Sequence, residues 1–232
     1  MIDFHSHILP RMDDGSQSIE ESVALLRLLA EQGIKKVVAT PHFYADDESV
    51  EAFLKRRKAT YEKLKQAYSS DLPALVLGAE VRYYQGISRM EDLKALCIEG
   101  TNLLLLEMPT SRWTDYTLRE FQELCCRGNL QIILAHVERY LGMQSRAVRD
   151  QLEQSDILMQ VNADLFASVA SRRKALKLLG EQRIHLIGSD CHGLTYRPPQ
   201  IGKAIRYIRK KFGEEFLEAF AEFEENLLDH KA

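Results

Sequence analysis

The chain has 232 residues, 45% of them apolar and 28% charged, enough to bury one sizeable core and to form a single domain over 1–232. Its formal net charge of −3 comes from basic and acidic residues mixed along the chain, so no basic field favours nucleic acid as a partner. Apolar runs such as Leu103 to Leu106 are strand-sized, and Met1-Ile2-Asp3-Phe4-His5 has no basic or apolar leader, so neither membrane insertion nor export is expected and the compartment expected is cytoplasmic.

Short β-branched or aliphatic runs alternate with longer amphipathic ones. A strand at 2–4 opens the chain. A helix over 19–32 follows, with Ser18 and Glu21 as a capping box and Gly33 as its stop. Next come a strand at 36–40, a helix over 48–68 and strands at 74–80 and 102–107. A helix over 114–127, stopped by Gly128, leads to strands at 131–136 and 157–162. A helix over 172–182 and a strand at 184–189 follow, and 199–230 reads as one or two surface helices. Strict β–α alternation argues for a parallel sheet, and about seven units in this length suggest a closed, compact α/β barrel. Four cysteines (Cys97, Cys125, Cys126, Cys191) show no CxxC spacing, which leaves zinc-finger and disulfide readings without support. The first three read as small buried thiols on helices.

The ionisable residues fall at strand ends. His5 and His7 end the first strand and His42 follows the second. Glu80, Glu107 and His136 end the third, fourth and fifth, and Asp190 and His192 end the last. In a parallel α/β barrel these positions gather at one rim, where active sites sit. Any one of them alone is as well explained as a solvated or loop-bonded residue; their joint placement is not. His185 and His230 have no such company and read as structural or solvated.

His5 and His7 are one residue apart, so on an extended strand both imidazoles point the same way and can share a cation. Asp14, Glu80, Glu107 and Asp190 add carboxylate oxygens. Mixed imidazole and carboxylate donors without thiolate suit manganese, iron or zinc. Nine candidate ligands exceed the needs of one ion, which argues for two or three. Three divalent ions outweigh four carboxylates, and Arg139 and Arg197 add further positive charge, so a phosphate dianion is well matched. Coordination lowers the pKa of water from ~16 to roughly 7, which makes hydroxide available.

Over nearly its whole length the chain resembles the polymerase-and-histidinol-phosphatase (PHP) superfamily. Within it, the likeness is to bacterial metal-dependent protein-tyrosine phosphatases of capsule and exopolysaccharide operons. The motifs are Met1-Ile2-Asp3-Phe4-His5-Ser6-His7-Ile8-Leu9-Pro10, Asp13-Asp14-Gly15-Ser16, Ala39-Thr40-Pro41-His42 and Gly78-Ala79-Glu80. They continue with Leu106-Glu107, Ala135-His136-Val137-Glu138-Arg139-Tyr140, Gly188-Ser189-Asp190, His192 and Arg197-Pro198-Pro199. The resemblance implies a distorted (β/α)7 barrel with a trinuclear site. It implies His5, His7, Glu80 and Asp190 on one ion, Glu80, Glu107 and His136 on a second, and Asp14, His42 and His192 on a third. It also implies phosphate contacts from Arg139 and Arg197 and hydrolysis of phosphotyrosine by a metal-bound hydroxide, with manganese expected first. The implied partner is the tyrosine-rich tail of a bacterial tyrosine kinase; a homo-oligomer is left open. Arg11-Met12 and Gly193 depart from the family's usual Gly-Ile and Asn, and Arg11 reads as a solvated loop charge.

Three rivals stand beside this reading. A small-molecule phosphatase of histidinol-phosphate type would use the same metals. Cys191 and Arg197 have the Cys-x5-Arg spacing of cysteine-dependent phosphatases, but Pro198-Pro199 replaces the hydroxyl residue usual after the Arg. Asp190 beside Cys191 also opposes a thiolate. A barrel kept only for binding ranks last, since no expected ligand is missing.

Overall fold

The computed structural model of the chain describes residues 1–229, so His230 lies outside the described residues. Its strands are β1 (Ile2–Ser6), β2 (Lys36–Ala39), β3 (His42–Phe43), β4 (Ala74–Leu77), β5 (Glu80–Arg82), β6 (Leu103–Glu107), β7 (Gln131–Leu134), β8 (Leu158–Asn162) and β9 (Leu186–Gly188). They pair in the orders β1-β2-β4 and β3-β5-β6-β7-β8-β9, always in parallel. A parallel bridge from Ser6 to Cys191 lays the end of β1 beside the chain leaving β9. There the Asp190 amide donates to the His5 carbonyl at 2.7 Å and the His7 amide to the Cys191 carbonyl at 3.0 Å. The result is a curled parallel sheet with both ends of the strand sequence side by side.

One expected strand is interrupted, and another has a continuation beyond its expected end. The run at 36–40 resumes as β3 only after Pro41, which has no N–H for the ladder. The run at 74–80 breaks at Gly78-Ala79, so Glu80 opens β5 and does not close a strand. Gly78 is needed for close approach, since a Cβ there would lie 3.3 Å from the Thr40 and Val38 side chains. Both strands break at the same level, and His42 therefore pairs opposite Glu80.

The helices are α1 (Ile19–Glu31), α2 (Val50–Lys65), α3 (Asp115–Cys125), α4 (Arg146–Glu153), α5 (Val169–Gly180), α6 (Ile201–Phe212) and α7 (Glu214–Asp229). The first five each start behind a Ser or Thr whose hydroxyl accepts from a backbone amide in the first turn: Ser18, Ser49, Thr114, Ser145 and Ser168. Each such cap contributes ~1 kcal/mol. Periodicity overlooked α4, which is only eight residues long. Strict alternation fails between β5 and β6. Only 3-10 turns at Ile87–Arg89 and Glu91–Leu96 lie there, because Met90 between them is extended. α3 ends at Cys125 without a left-handed glycine, so Gly128 is not its stop in the way Gly33 is for α1. Cys97 is buried just past a 3-10 turn, Cys125 is half-buried and Cys126 is exposed, so three buried helical thiols are not what the fold contains.

Inside the curl, Phe4, Val38, Leu105, Ile133, Leu158 and Leu186 form one apolar cluster, and Leu227 and Leu228 of α7 pack against it. α7 also carries Glu224, fully buried, whose Oε2 accepts from the Ile2 amide at 2.8 Å while Oε1 has no partner. Burial pushes this carboxyl up from 4.5 to about 8. A raised carboxyl pKa means the folded state holds a proton that the unfolded state releases, so stability falls as pH rises from 4.5 towards about 8. Glu224→Gln should therefore raise the thermal midpoint near the top of that window and change it little at the bottom. Equal shifts across the window in a pH series of melting curves would remove the buried ionisation from the account.

Candidate metal centre

The site is built where the parallel strands end. β1 delivers His5 and His7 with their Nε2 atoms 3.2 Å apart, so both rings do face one point. Glu80 Oε2, at the start of β5, lies 3.1 Å from His5 Nε2 and 3.3 Å from His7 Nε2. It also lies 3.0 Å from His42 Nδ1. Its other oxygen is 2.8 Å from His136 Nε2, which is 3.4 Å from Glu107 Oε1. Asp190 Oδ1 is 3.6 Å from His5 Nε2 and 3.4 Å from His7 Nε2. Asp14 Oδ1, at the exposed edge, is 3.6 Å from His42 Nε2 and 3.5 Å from His192 Nε2. All nine side chains singled out in the sequence thus come together.

Three groups have donor atoms close enough to surround an ion: His5, His7 and Asp190; His42, Glu80 and Glu107; and His7, Asp14, His42 and His192. They differ from the sets implied by resemblance: His136 falls in none of them, Glu80 is not grouped with His5, His7 and Asp190, His42 joins Glu80 and Glu107, and His7 joins the outer group.

The donor chemistry fits divalent ions. Glu80 Oε2 is buried amid imidazole nitrogens, yet it makes no hydrogen bond. An isolated buried carboxylate oxygen is costly unless a cation satisfies it. The rings are also held from behind. His7 Nδ1 donates to Asp13 Oδ2 at 2.7 Å, His5 Nδ1 to Gln160 Oε1 at 3.2 Å, and His192 Nδ1 to the Asp190 carbonyl at 2.9 Å. Each bond fixes the proton on Nδ1 and leaves the Nε2 lone pair facing the site, the usual arrangement of metal-binding histidines.

Electrostatics follow from this crowding. Burial works against charge on His7, but its hydrogen bond to Asp13 and the Asp190 and Glu80 carboxylates beside it outweigh burial and hold its pKa well above normal. Burial likewise opposes charge on Glu80, yet the His5 charge, the hydrogen bond from His136 to Oε1 and the adjacent His42 ring hold its carboxyl well below the usual range. His136 is raised to about 9, with bonds to Glu107 and Glu80 overcoming its burial. His192 moves the other way, to about 4, through burial and the nearby His7 and Arg197 charges.

Arg139 and Arg197 both donate to Asp190 Oδ2, and Arg197 Nη1 also donates to His192 Nε2 at 3.1 Å. Both line a cavity of about 310 Å³ with His42, Glu80, Glu107 and Asp190. Cys191 is fully buried in the apolar core, and burial, with Asp3 nearby, pushes its thiol up to about 12. It does not line this cavity, so the Cys-x5-Arg spacing has no catalytic geometry behind it. Arg11 donates to its own loop at the Gln17 carbonyl, as a solvated loop charge does. At Gly193 a Cβ would lie 3.0 Å from Glu21 Oε1, the end of a flexible side chain that can move aside, so nothing in the structure explains the glycine there. His185 Nδ1 accepts from the Met159 amide at 3.0 Å, a structural role away from the site.

Sequence reasoning missed the supporting residues. Gln160 Oε1 also accepts from the His136 amide at 2.7 Å, and its amide group donates to Asn162, which in turn donates to Asp190 Oδ2 at 2.6 Å. The signal available was two amides at alternate positions of a fully buried strand. His136, Asp190 and Arg197 take left-handed φ angles of 33°, 50° and 51°. Such backbone costs of order 1–3 kcal/mol per residue and collects at functional sites. Asp13, which also accepts from the His42 amide at 2.9 Å, is the carboxylate behind His7. Asp13→Asn should weaken divalent-ion affinity by roughly 10- to 100-fold. A metal titration that leaves affinity unchanged would remove this positioning role.

Comparison with known proteins agrees in one direction. The chain is 28% identical to the tyrosine-protein phosphatase YwqE of Bacillus subtilis, over 98% of this chain and 91% of that one. It is 29% identical to the tyrosine-protein phosphatase CpsB of Streptococcus pneumoniae, over 92% and 91%. In structure it is similar to YwqE and CpsB, described as metal-dependent tyrosine phosphatases, with a TM-score of 0.82, 26% identity and coverage of 100% and 96%. The hisK protein of Listeria monocytogenes, 14% identical with a TM-score of 0.50, shares the fold. The model of the capsular polysaccharide synthesis family CpsB/CapC matches residues 1–228, and the chain belongs to that family.

Proposed function

We propose that this chain is a metal-dependent protein-tyrosine phosphatase. On this reading it acts in the cytoplasm on phosphotyrosines in the tail of a bacterial kinase that controls capsule or exopolysaccharide synthesis. Two or three divalent ions serve it, manganese first. The fold under this reading is a distorted barrel of seven units, with β2–β3 and β4–β5 counted as single broken strands. The observation that carries the reading is Glu80, buried within 3.0–3.3 Å of three imidazoles with one oxygen left unbonded.

His5, His7, Glu80 and Asp190 would hold one ion, Glu80, Glu107 and His136 a second, and Asp14, His42 and His192 a third. Bound ions supply hydroxide at neutral pH and offset phosphate charge. The chain's own residues do the rest. Gln160 and Asn162 hold His5 and Asp190 in place, and Asp13 holds His7. Arg139 and Arg197, anchored on Asp190 at the cavity wall, offer N–H edges to phosphate oxygens. A phenoxide leaves without a strong acid to protonate it, since its pKa is ~10. A tyrosyl phosphate also stands farther from its backbone than a seryl one and reaches this recessed site more easily.

The test compares matched phosphotyrosine and phosphoserine peptides with histidinol phosphate. Phosphotyrosine should have the highest kcat/KM. Equal or faster turnover of histidinol phosphate would move the chain to the small-molecule reading, and equal or faster turnover of phosphoserine would show that the substrate is misassigned. Cys191→Ser should keep most activity, and total loss in a folded, metal-loaded variant would restore the cysteine mechanism.

A further inference from the structure

On β3 and β5, His42 pairs with Glu80 and Phe43 with Val81. β3 ends at Phe43, and Tyr44 follows it in the chain. Alternate residues share a strand face, so on β5 Arg82 stands one rung above Glu80. That rung is ~6.6 Å farther out. The Tyr44 ring stacks on His42 with centroids 5.2 Å apart and planes at 21°. Arg82 Cζ sits 5.5 Å from the centre of the Tyr44 ring. Arg82 is exposed and makes no ion pair among the described residues. Its guanidinium borders both the 310 Å³ cavity and an adjoining cleft of about 640 Å³ lined by Tyr44, Tyr83 and Tyr84.

A phosphate ester bound at the rung of His42 and Glu80 puts its leaving group at the rung of Arg82. For phosphotyrosine that group is an aromatic ring; for phosphoserine it is peptide backbone. A guanidinium attracts the face of an aromatic ring and has nothing comparable to gain from an alkyl chain. We infer that Arg82, propped on Tyr44, recognises the ring of an aryl phosphate and so sets the preference for aryl over alkyl esters. This rests on the phosphatase reading for the position of the phosphate. Arg82 is a specificity residue outside the nine candidate ligands and the two anchoring arginines.

The experiment measures binding of phenylphosphonate and methylphosphonate, which are not hydrolysed, to the manganese-loaded protein and its Arg82→Ala variant by calorimetry. Phosphonates remove the leaving-group advantage of phenoxide from the comparison. Wild type should prefer the phenyl compound, and the variant should lose about five- to tenfold of that preference with metal content unchanged. A parallel loss for both phosphonates, or an unchanged ratio, overturns the inference. So does a loss confined to turnover of peptides with acidic flanks, since Arg82 would then read peptide charge. Wild type that favours phenylphosphonate through Arg82 but hydrolyses no phosphotyrosine would sink the phosphatase reading and leave the aryl site standing.

Discussion

Dialysed against EDTA, the protein is expected to lose phosphate-ester hydrolysis altogether and to regain it with manganese better than with magnesium. The donor set decides the order. Five histidines and four carboxylates converge, and magnesium binds imidazole poorly because it prefers oxygen and keeps its waters. Glu80→Gln should bring the loaded enzyme down to the same chelated level. Among the described residues, Glu80 is the one carboxylate within reach of His5, His7, His42 and His136 together, and an amide lacks the negative charge those sites share. Turnover and metal content measured on the same samples settle the matter. Full turnover in excess EDTA after prolonged dialysis would sink the metal-dependent mechanism.

The second large effect belongs to the two arginines. Arg139→Ala and Arg197→Ala are each expected to slow phosphotyrosine hydrolysis on the order of a hundredfold. That is the cost of losing a charge-assisted contact that strengthens in the transition state, about 3 kcal/mol. Both guanidiniums donate to the same Asp190 oxygen, so the double variant should depart from the product of the single effects. Asp190 keeps its bond from Asn162 in either single variant, which is why metal content should hold. Wild-type kinetics in both variants on a phosphotyrosine peptide would withdraw the phosphate-contact role.

Much of this was legible before the fold was known, for a simple reason. Strands have a strong local signature, parallel strands deliver their ends to one rim, and His, Asp and Glu at those ends stand out against aliphatic runs. The break at Leu77-Gly78 was equally present in the sequence, but apolar periodicity ran across it and made Glu80 close a strand that it opens, while the two-residue strand His42–Phe43 beyond Pro41 was too short to register. The short helix Arg146–Glu153 carried too few turns to register. Gln160 and Asn162 were missed because their importance comes from neighbours distant in sequence: Gln160 meets His5 across 155 residues and Asn162 meets Asp190 across 28. Asp13 lies only six residues from His7 and was passed over for its neighbour Asp14, the carboxylate taken as the ligand. The left-handed backbone of His136, Asp190 and Arg197 has only a weak residue-type signal: none of the three is glycine, although His and Asp enter that region more readily than most residues.

The lateral union of β1 with the chain leaving β9 bears on how the protein is made. Ser189 donates to a His5 carbonyl 184 residues behind it. At ~5–20 residues per second, a ribosome needs roughly 10–40 s to deliver the second half of that seam after the first. Until then His5 and His7 have emerged without Asp190 and His192. A nascent or prematurely terminated chain therefore lacks at least two of the nine donors and has no complete site. Competence to hold the full set of ions arrives late in synthesis, so truncated products should be catalytically silent while still able to scavenge metal weakly.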